Sequence, residues 1–233
     1  MRKADVIIPT FKPGDKLEKL LRRLLEQSVP VGRVIIMNTE EKYWDAERFE
    51  SLFEGGDTKL TVCHIRQSEF DHGRTRHEGI LKSDADVCIC MTHDCVPYDR
   101  NLVKELLEAL DASERVAAAY ARQLPAADCG VIERYTRDFN YPAVSRLKGK
   151  EDEDELGIKT YFCSNVCAAY KREIYRKLGG FIRKTIFNED MIFAAKAMKN
   201  GYAVCYAADA RVIHSHNYTA VEQFHRNFDL AVS

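Results

Sequence analysis

The sequence has no apolar stretch long enough to cross a membrane, which takes about 20 consecutive residues in a helix. Its first apolar run, at residues 4–8, is too short to be the core of a secretion signal. Basic residues do not outnumber acidic ones, with 35 lysines and arginines against 36 aspartates and glutamates, so the basic excess of nucleic-acid-binding domains is absent. We therefore expect a cytoplasmic protein with no nucleic acid partner, for which peripheral contact with the inner face of a membrane stays open.

The eight cysteines do not form the framework of a small secreted domain. Most of them lie in apolar runs such as residues 87–91, where a thiol acts as a small buried hydrophobe. Cys163 and Cys167 have a spacing that metal sites use, but no second pair stands near them. We therefore expect reduced thiols and no structural zinc.

A glycine-rich loop is also missing after the first predicted strand, where the sequence reads Pro9-Thr10-Phe11-Lys12-Pro13. Nucleotidyltransferases cradle a triphosphate with such a loop, so this class is disfavoured.

Short β-branched runs alternate with helical patterns through the first half of the 233 residues. Strands are predicted at residues 4–9, 33–37, 60–65, 87–91 and 116–121, and helices at 75–82 and 101–110. This alternation predicts one α/β domain with a Rossmann-like, mostly parallel central sheet flanked by helices. In the second half we expect a strand at 165–170, a helix at 190–200 and a strand at 204–206. The charged run at 148–155 is expected to be a solvated mobile loop.

Polar clusters follow several predicted strands, and the carboxyl ends of parallel strands meet at one edge of a sheet. Asp94 is placed there to hold a divalent cation against a diphosphate, and His214 and His216 would point the same way on an extended chain. The alternatives are a turn or N-cap aspartate and two ordinary histidines. Asp190 could accept a proton from a hydroxyl group, with Glu189 orienting it, although acids are common at any helix start.

Arg74 and Arg76 precede or open a helix and would share one face of an extended segment. Arginine binds phosphate oxygens with two parallel hydrogen bonds, so a phosphate site is favoured over a solvated charged loop.

Together these motifs resemble family 2 glycosyltransferases of the GT-A fold, and more narrowly their bacterial rhamnosyltransferase-like branch. The resemblance covers nearly the whole chain and is most specific at residues 70–76, 91–97, 164–166, 179–181 and 188–190. It implies direct displacement with inversion: a sugar passes from a nucleoside diphosphate donor of the dTDP or UDP type to a saccharide or lipid-linked acceptor during surface polysaccharide synthesis. Mg²⁺ or Mn²⁺ would stabilise the leaving group.

The resemblance also implies a role for each matching residue. Asp190 is the catalytic base with Glu189 beside it, Asp94 is the acid of the metal motif, and His214 matches a histidine that binds the metal in some relatives. His216, two residues further, is the other candidate ligand, and which of the two histidines binds stays open. Ser164 and Asn165 bind the acceptor. The donor-binding residues are Pro9, Thr10, Phe11, Asn38, Asp71, Arg74, Arg76, Thr92 and His93.

Several departures from the family pattern are visible. Arg74 replaces a glycine and His77 an asparagine of the rhamnosyltransferase-like motif, which leaves the donor sugar open. Thr92 stands where the metal motif often has its first acid, and Asn38 or Glu40 replaces the usual base-reading aspartate. We expect residues 1–125 to form the nucleotide-binding half and 126–233 the acceptor and catalytic half. Because family members usually continue further, the chain is expected to be a short member or to lack a C-terminal helical tail. A metal-dependent hydrolase and a catalytically inactive nucleotide-sugar-binding relative remain the alternative functions.

Overall fold

The structure is a computed structural model that describes residues 2–232, and it is built around one nine-stranded sheet. The strands are β1 Ala4–Phe11, β2 Arg33–Thr39, β3 Lys59–Ile65, β4 Val87–Met91, β5 Val96–Pro97, β6 Val116–Leu124, β7 Arg146–Lys148, β8 Cys167–Lys171 and β9 Ala203–Ile213. The helices are α1 Asp15–Leu25, α2 Ala46–Glu50, α3 His72–Leu81, α4 Leu102–Asp111, α5 Val131–Asn140, α6 Glu153–Leu156, α7 Arg172–Lys177, α8 Glu189–Lys199 and α9 Ala220–Val232.

The strand order is β3-β2-β1-β4-β8-β6-β9-β5, and β7 also pairs with β9. Strand β1 is parallel to β2 and β4, β2 to β3, and β6 to β9. Strand β8 is antiparallel to both β4 and β6, so β6 and β9 run in the direction of β1. Only β8 and the short β5 and β7 oppose this direction within the described residues. The prediction of a mostly parallel α/β sheet is confirmed.

Apolar layers cover both faces of this sheet. On one face the leucines of α1 and α4 pack against β1, β4 and β9. On the other face Tyr175 of α7 and Phe193 of α8 form an aromatic cluster with Tyr170 of β8. The two layers hold the strands so that the carboxyl ends of β1, β4 and β9 are free to form a cavity. None of the helices within residues 2–232 has the length and hydropathy needed to span a bilayer.

Two expectations about local structure are wrong. Arg74 and Arg76 do not lie on an extended segment: both belong to α3, which begins at His72 because the Asp71 carboxylate accepts hydrogen bonds from the backbone N–H groups of Gly73 and Arg74. The charged run at 148–155 is not a loop, although residues 150, 151 and 153–155 are exposed to solvent as expected. Lys148 is 4% exposed at the end of β7, and helical turns, including α6, follow it.

Gly73 marks a close approach between α3 and the loop before α8. A Cβ atom at this position would overlap the backbone carbonyl oxygen of Ile182, which has no side-chain freedom to move away. We predict that Gly73→Ala lowers the free energy of unfolding by about 2 kcal/mol or more, despite the better helix propensity of alanine. Urea denaturation measures this change.

The control is Gly56→Ala, because the nearest atom to a Cβ there is 3.7 Å away. Equal stabilities of the two variants would contradict the predicted overlap.

Candidate active site

A cavity of about 470 Å³ lies at the carboxyl edge of the sheet. Its walls come from the ends of β1 and β4, the segment before β8, the start of α8 and the residues after β9. The predicted site residues that line it are Pro9, Thr10, Phe11, Arg76, Thr92, His93, Asp94, Ser164, Asn165, Glu189, Asp190, His214 and His216. Residues about two hundred positions apart in the sequence therefore share one site, as the topology of a parallel sheet predicts.

Asp94, His214 and His216 form a compact cluster of metal-ligand atoms. One ligand atom from each of them lies within 4.8 Å of the others. The two Nε2 atoms are 3.0 Å apart, and the Asp94 carboxylate is 3.3 Å from the Nε2 atom of His216 and 3.6 Å from that of His214.

Gln123 orients the His214 ring. Its Oε1 atom lies 2.9 Å from His214 Nδ1 and also accepts a hydrogen bond from Arg137 Nη1 at 2.5 Å. Oε1 can only accept, so Nδ1 carries the proton and Nε2 is left unprotonated toward Asp94. Burial lowers the pKa of His214 to about 3 and also lowers that of His216. Both rings are therefore neutral at pH 7, the form that binds a metal.

The chemistry of this cluster fits a divalent metal ion. Two imidazole nitrogens and one carboxylate suit a transition metal better than Mg²⁺, which prefers oxygen ligands throughout. His214 uses Nδ1 for its hydrogen bond to Gln123, so Nε2 remains available for a metal. Metal-ligating histidines normally have such a hydrogen bond on the ring nitrogen that does not bind the metal.

Two backbone N–H groups hold the Asp190 carboxyl group at the start of α8. Its Oδ2 atom accepts a hydrogen bond from the N–H of Asn165 at 2.7 Å, and Oδ1 accepts one from Met191 at 2.8 Å. Burial raises the pKa of the Asp190 carboxyl to about 7, and the neighbouring charge of Glu189 adds to this shift. A carboxyl group with such a pKa can exchange protons near neutral pH.

Glu189 is fixed by a buried ion pair with Arg76. The Nη1 atom of Arg76 lies 3.1 Å from Glu189 Oε1, and both side chains are 5% exposed. The side-chain amide of Asn165 donates to the same oxygen at 2.8 Å, while its own oxygen accepts from Tyr170 at 2.8 Å. The buried Nε atom of Arg76 has no hydrogen-bond partner among residues 2–232.

Three predicted donor-binding residues do not line the cavity. Asp71 caps α3 and also accepts a hydrogen bond from the backbone of Thr185 at 3.0 Å. Arg74 donates to the backbone oxygen of Glu69. Asn38 is buried behind Thr10, whose hydroxyl donates to it at 3.1 Å. Their contacts with a donor remain predictions.

Several cavity residues escaped the sequence-based prediction. Gln123 is the penultimate residue of β6, Arg137 lies on α5, and Tyr141 directly follows α5. Arg226, on α9, stacks its guanidinium over the rings of Phe187 and Tyr218 at 5.6 and 5.5 Å. A signal existed only for α9, as an aromatic and helix-compatible stretch at residues 218–230.

The family model described as glycosyl transferase family 2 matches residues 5–179. The chain belongs to glycosyl transferase family 2. It is 38% identical over 232 residues to the O-antigen chain rhamnosyltransferase RfbN of Salmonella typhimurium, covering 99% of this chain and 72% of that protein. It is 34% identical over 229 residues to the O-antigen chain rhamnosyltransferase WbaN of Salmonella anatum, covering 97% and 70%. The resemblance to rhamnosyltransferases that the motifs indicated is confirmed.

Solved structures confirm the predicted GT-A fold. The mannosyltransferase PcManGT from Pyrobaculum calidifontis, in complex with GDP-Man and Mn²⁺, superimposes with a TM-score of 0.71 at 16% identity over 96% of this chain. S. aureus TarS 1-349 gives a TM-score of 0.68 at 16% identity over 96% of this chain. The chain spans 59% of the length of the first and 62% of the second.

We predict that His214→Ala weakens Mn²⁺ binding by at least about tenfold, because it removes one of the clustered nitrogen ligands. Electron paramagnetic resonance of free Mn²⁺ measures the affinity. His225→Ala, a change at an exposed histidine of α9, is the control and should leave the affinity unchanged. Unaltered binding in the His214 variant would contradict the assigned cluster.

Proposed function

We propose that this chain is an inverting, metal-dependent glycosyltransferase that moves rhamnose from a nucleoside diphosphate donor to a saccharide or lipid-linked acceptor in surface polysaccharide synthesis. The observation that carries the proposal is the presence of Asp190, with a pKa raised to about 7, in one cavity with the cluster of Asp94, His214 and His216. The similarity to two O-antigen rhamnosyltransferases supports the sugar and the process.

In the proposed reaction the Asp190 carboxylate removes the proton of the acceptor hydroxyl as its oxygen attacks the anomeric carbon. The bond from that carbon to the diphosphate oxygen breaks in the same displacement, so the configuration inverts. A metal ion held by Asp94, His214 and His216 would neutralise charge on the departing diphosphate. The donor set favours Mn²⁺ over Mg²⁺.

The donor is proposed to lie against the ends of β1 and β4. The Phe11 ring is 39% exposed and is supported edge-on by Tyr43 at 5.6 Å, which gives a nucleobase an aromatic face. Arg76 lines the cavity, and its guanidinium group supplies a positive charge for a donor phosphate there. In this arrangement residues 1–125 supply most donor contacts and residues 126–233 supply the base. We propose that the reaction takes place in the cytoplasm, at the inner face of the membrane.

Calorimetric titration with UDP, dTDP and GDP, with and without Mn²⁺, tests the donor site. We expect one pyrimidine diphosphate, dTDP or UDP, to bind with an affinity that depends on Mn²⁺. Failure of all three to bind a folded chain would contradict the proposal.

Asp190→Asn should keep this nucleotide affinity and lower the rate of transfer by at least about 100-fold, because general-base assistance is lost. Product formation from a rhamnose donor measures the rate. Full turnover in this variant would mean that Asp190 is not the base.

The pH dependence of kcat/KM should report the pKa of this base in the free protein. Because the carboxyl group must be ionised, kcat/KM should rise with pH and level off above an apparent pKa of about 7. Glu189→Gln removes a negative charge that raises this pKa, so its profile should move to lower pH. Glu222→Gln changes an exposed residue of α9 and serves as the control. Its pH profile of kcat/KM should not move. A shift to higher pH in the Glu189 variant would contradict the assignment.

A further inference from the structure

A second cavity of about 410 Å³ adjoins the active site and shares Phe162 with it as a common wall. Four aromatic side chains line this second cavity: Tyr120, Phe139, Phe162 and Tyr206. The Tyr120 ring contacts those of Phe162 and Tyr206, with centroids 5.6 and 5.2 Å away. The other lining residues include the polar side chains of Asn140, Ser145, Arg146, Lys148 and Lys159. A cavity of this size that combines aromatic walls with placed polar groups is typical of sites for small organic molecules.

The cavity contains one buried cation, the ammonium group of Lys148. Its Nζ atom donates to the backbone oxygens of Phe162 at 2.6 Å and Lys159 at 3.2 Å, which leaves one N–H. The nearby carboxylates of Asp152 and Glu155 are paired with Arg146 instead. Burial lowers the pKa of Lys148 to about 8, so most of these ammonium groups remain charged at pH 7 without a paired carboxylate.

The mouth of the cavity is apolar and exposed. Val144 is 75% exposed and Phe139 is 59% exposed, although both line the cavity. Phe139 stacks on Tyr135, with ring centroids 6.2 Å apart. Tyr135 is itself exposed on α5, together with Val131 and Ile132. An apolar surface therefore continues from the cavity mouth along α5, with the Lys159 Nζ atom 4.4 Å from the centre of the Phe139 ring.

We propose that this second cavity binds a lipid phosphate, with the phosphate at Lys148 and the apolar chain leaving past Val144 along α5. The inference rests on the proposed function, because the lipid phosphate is taken to be the one that carries the acceptor sugar. A cation without a paired carboxylate selects an anion, and the aromatic walls and apolar mouth select a hydrocarbon chain. A free saccharide would satisfy neither feature.

The shared wall gives this site a place in the reaction. A sugar attached to a phosphate at Lys148 extends past Phe162 into the active-site cavity, which holds Asp190. The chain would therefore use a lipid-linked acceptor in preference to a free one. Lys148 would fix how deep the acceptor enters, while the contacts around Asp190 select the hydroxyl that reacts.

Calorimetric titration with farnesyl phosphate, kept below its micelle concentration and without donor or metal, tests the site directly. Farnesol and inorganic phosphate serve as probes of each half of the ligand. We expect farnesyl phosphate to bind at least about tenfold more tightly than either one, because only it meets both the ammonium group and the apolar walls. Equal affinities for farnesyl phosphate and farnesol would overturn the proposal.

Two variants locate the binding. Lys148→Met should weaken farnesyl phosphate binding by at least about tenfold, and Lys150→Met, at an exposed lysine outside the cavity, should not. Lys148 also donates hydrogen bonds to two backbone oxygens, so removing its ammonium group could unfold the chain. Val144→Glu therefore provides an exposed second test, in which a negative charge at the mouth repels the phosphate. Val221→Glu, an exposed valine of α9, is its control.

Binding that neither Lys148→Met nor Val144→Glu weakens would overturn the assigned cavity. Displacement of farnesyl phosphate by phosphatidylglycerol vesicles would overturn the acceptor as its occupant and assign the cavity to bilayer lipid. A chain that binds farnesyl phosphate through Lys148 but transfers no sugar would disprove the proposed function alone. Transfer to a soluble acceptor without any farnesyl phosphate binding would disprove the cavity assignment alone.

Discussion

The buried ion pair between Arg76 and Glu189 is the contact on which the geometry of the site depends. It joins α3 in the first half of the chain to α8 in the second, with 3.1 Å between the charged groups. Removing one partner of such a pair typically costs about 3–5 kcal/mol, because the other charge stays buried and unpaired. Asn165 adds a third segment, through its side chain to Glu189 and its backbone to Asp190. The position of the Asp190 carboxyl is therefore set by three segments of the chain and not by α8 alone.

The antiparallel strand β8 explains how Asn165 reaches this position. In a parallel strand the residues that enter the site follow the strand, as Asp94 follows β4. Strand β8 runs the other way, with Cys167 opposite Met91, so the residues that precede it reach the same edge of the sheet. The backbone N–H of Thr92 donates to Val166 at 3.1 Å and holds the two segments together. One reversed strand thus brings the contacts of Asp190 next to the cluster of Asp94, His214 and His216.

Sequence patterns predicted most strands and the convergence of their polar ends, because both follow from local periodicity and a general rule of sheet topology. Side-chain partners were not predictable in this way. Arg74 and Arg76 look equivalent in the sequence. Because residues two positions apart on a helix point in different directions, Arg74 binds the backbone oxygen of Glu69 and Arg76 binds the Glu189 carboxylate. The sequence pattern does not predict α5, because the apolar side chains of this helix face water instead of packing on the core. Lys148 was placed in a solvated loop because a run of charges does not show which member turns inward.

Exclusion of water is the common cause of the two unusual protonation states in the cavity. Burial keeps His214 neutral and ready to bind a metal, and the same burial makes Asp190 a stronger base than an exposed carboxylate. The residues that line the cavity come both from the segment that matches the family model, which ends at residue 179, and from the residues after it. Arg226 and Tyr218 cover the cavity, and the side chain of Asn188 donates to the backbone of Leu230 at 3.1 Å, which ties α9 to the start of α8. The matched segment therefore supplies Asp94, while Asp190, His214 and His216 come from the residues that follow it.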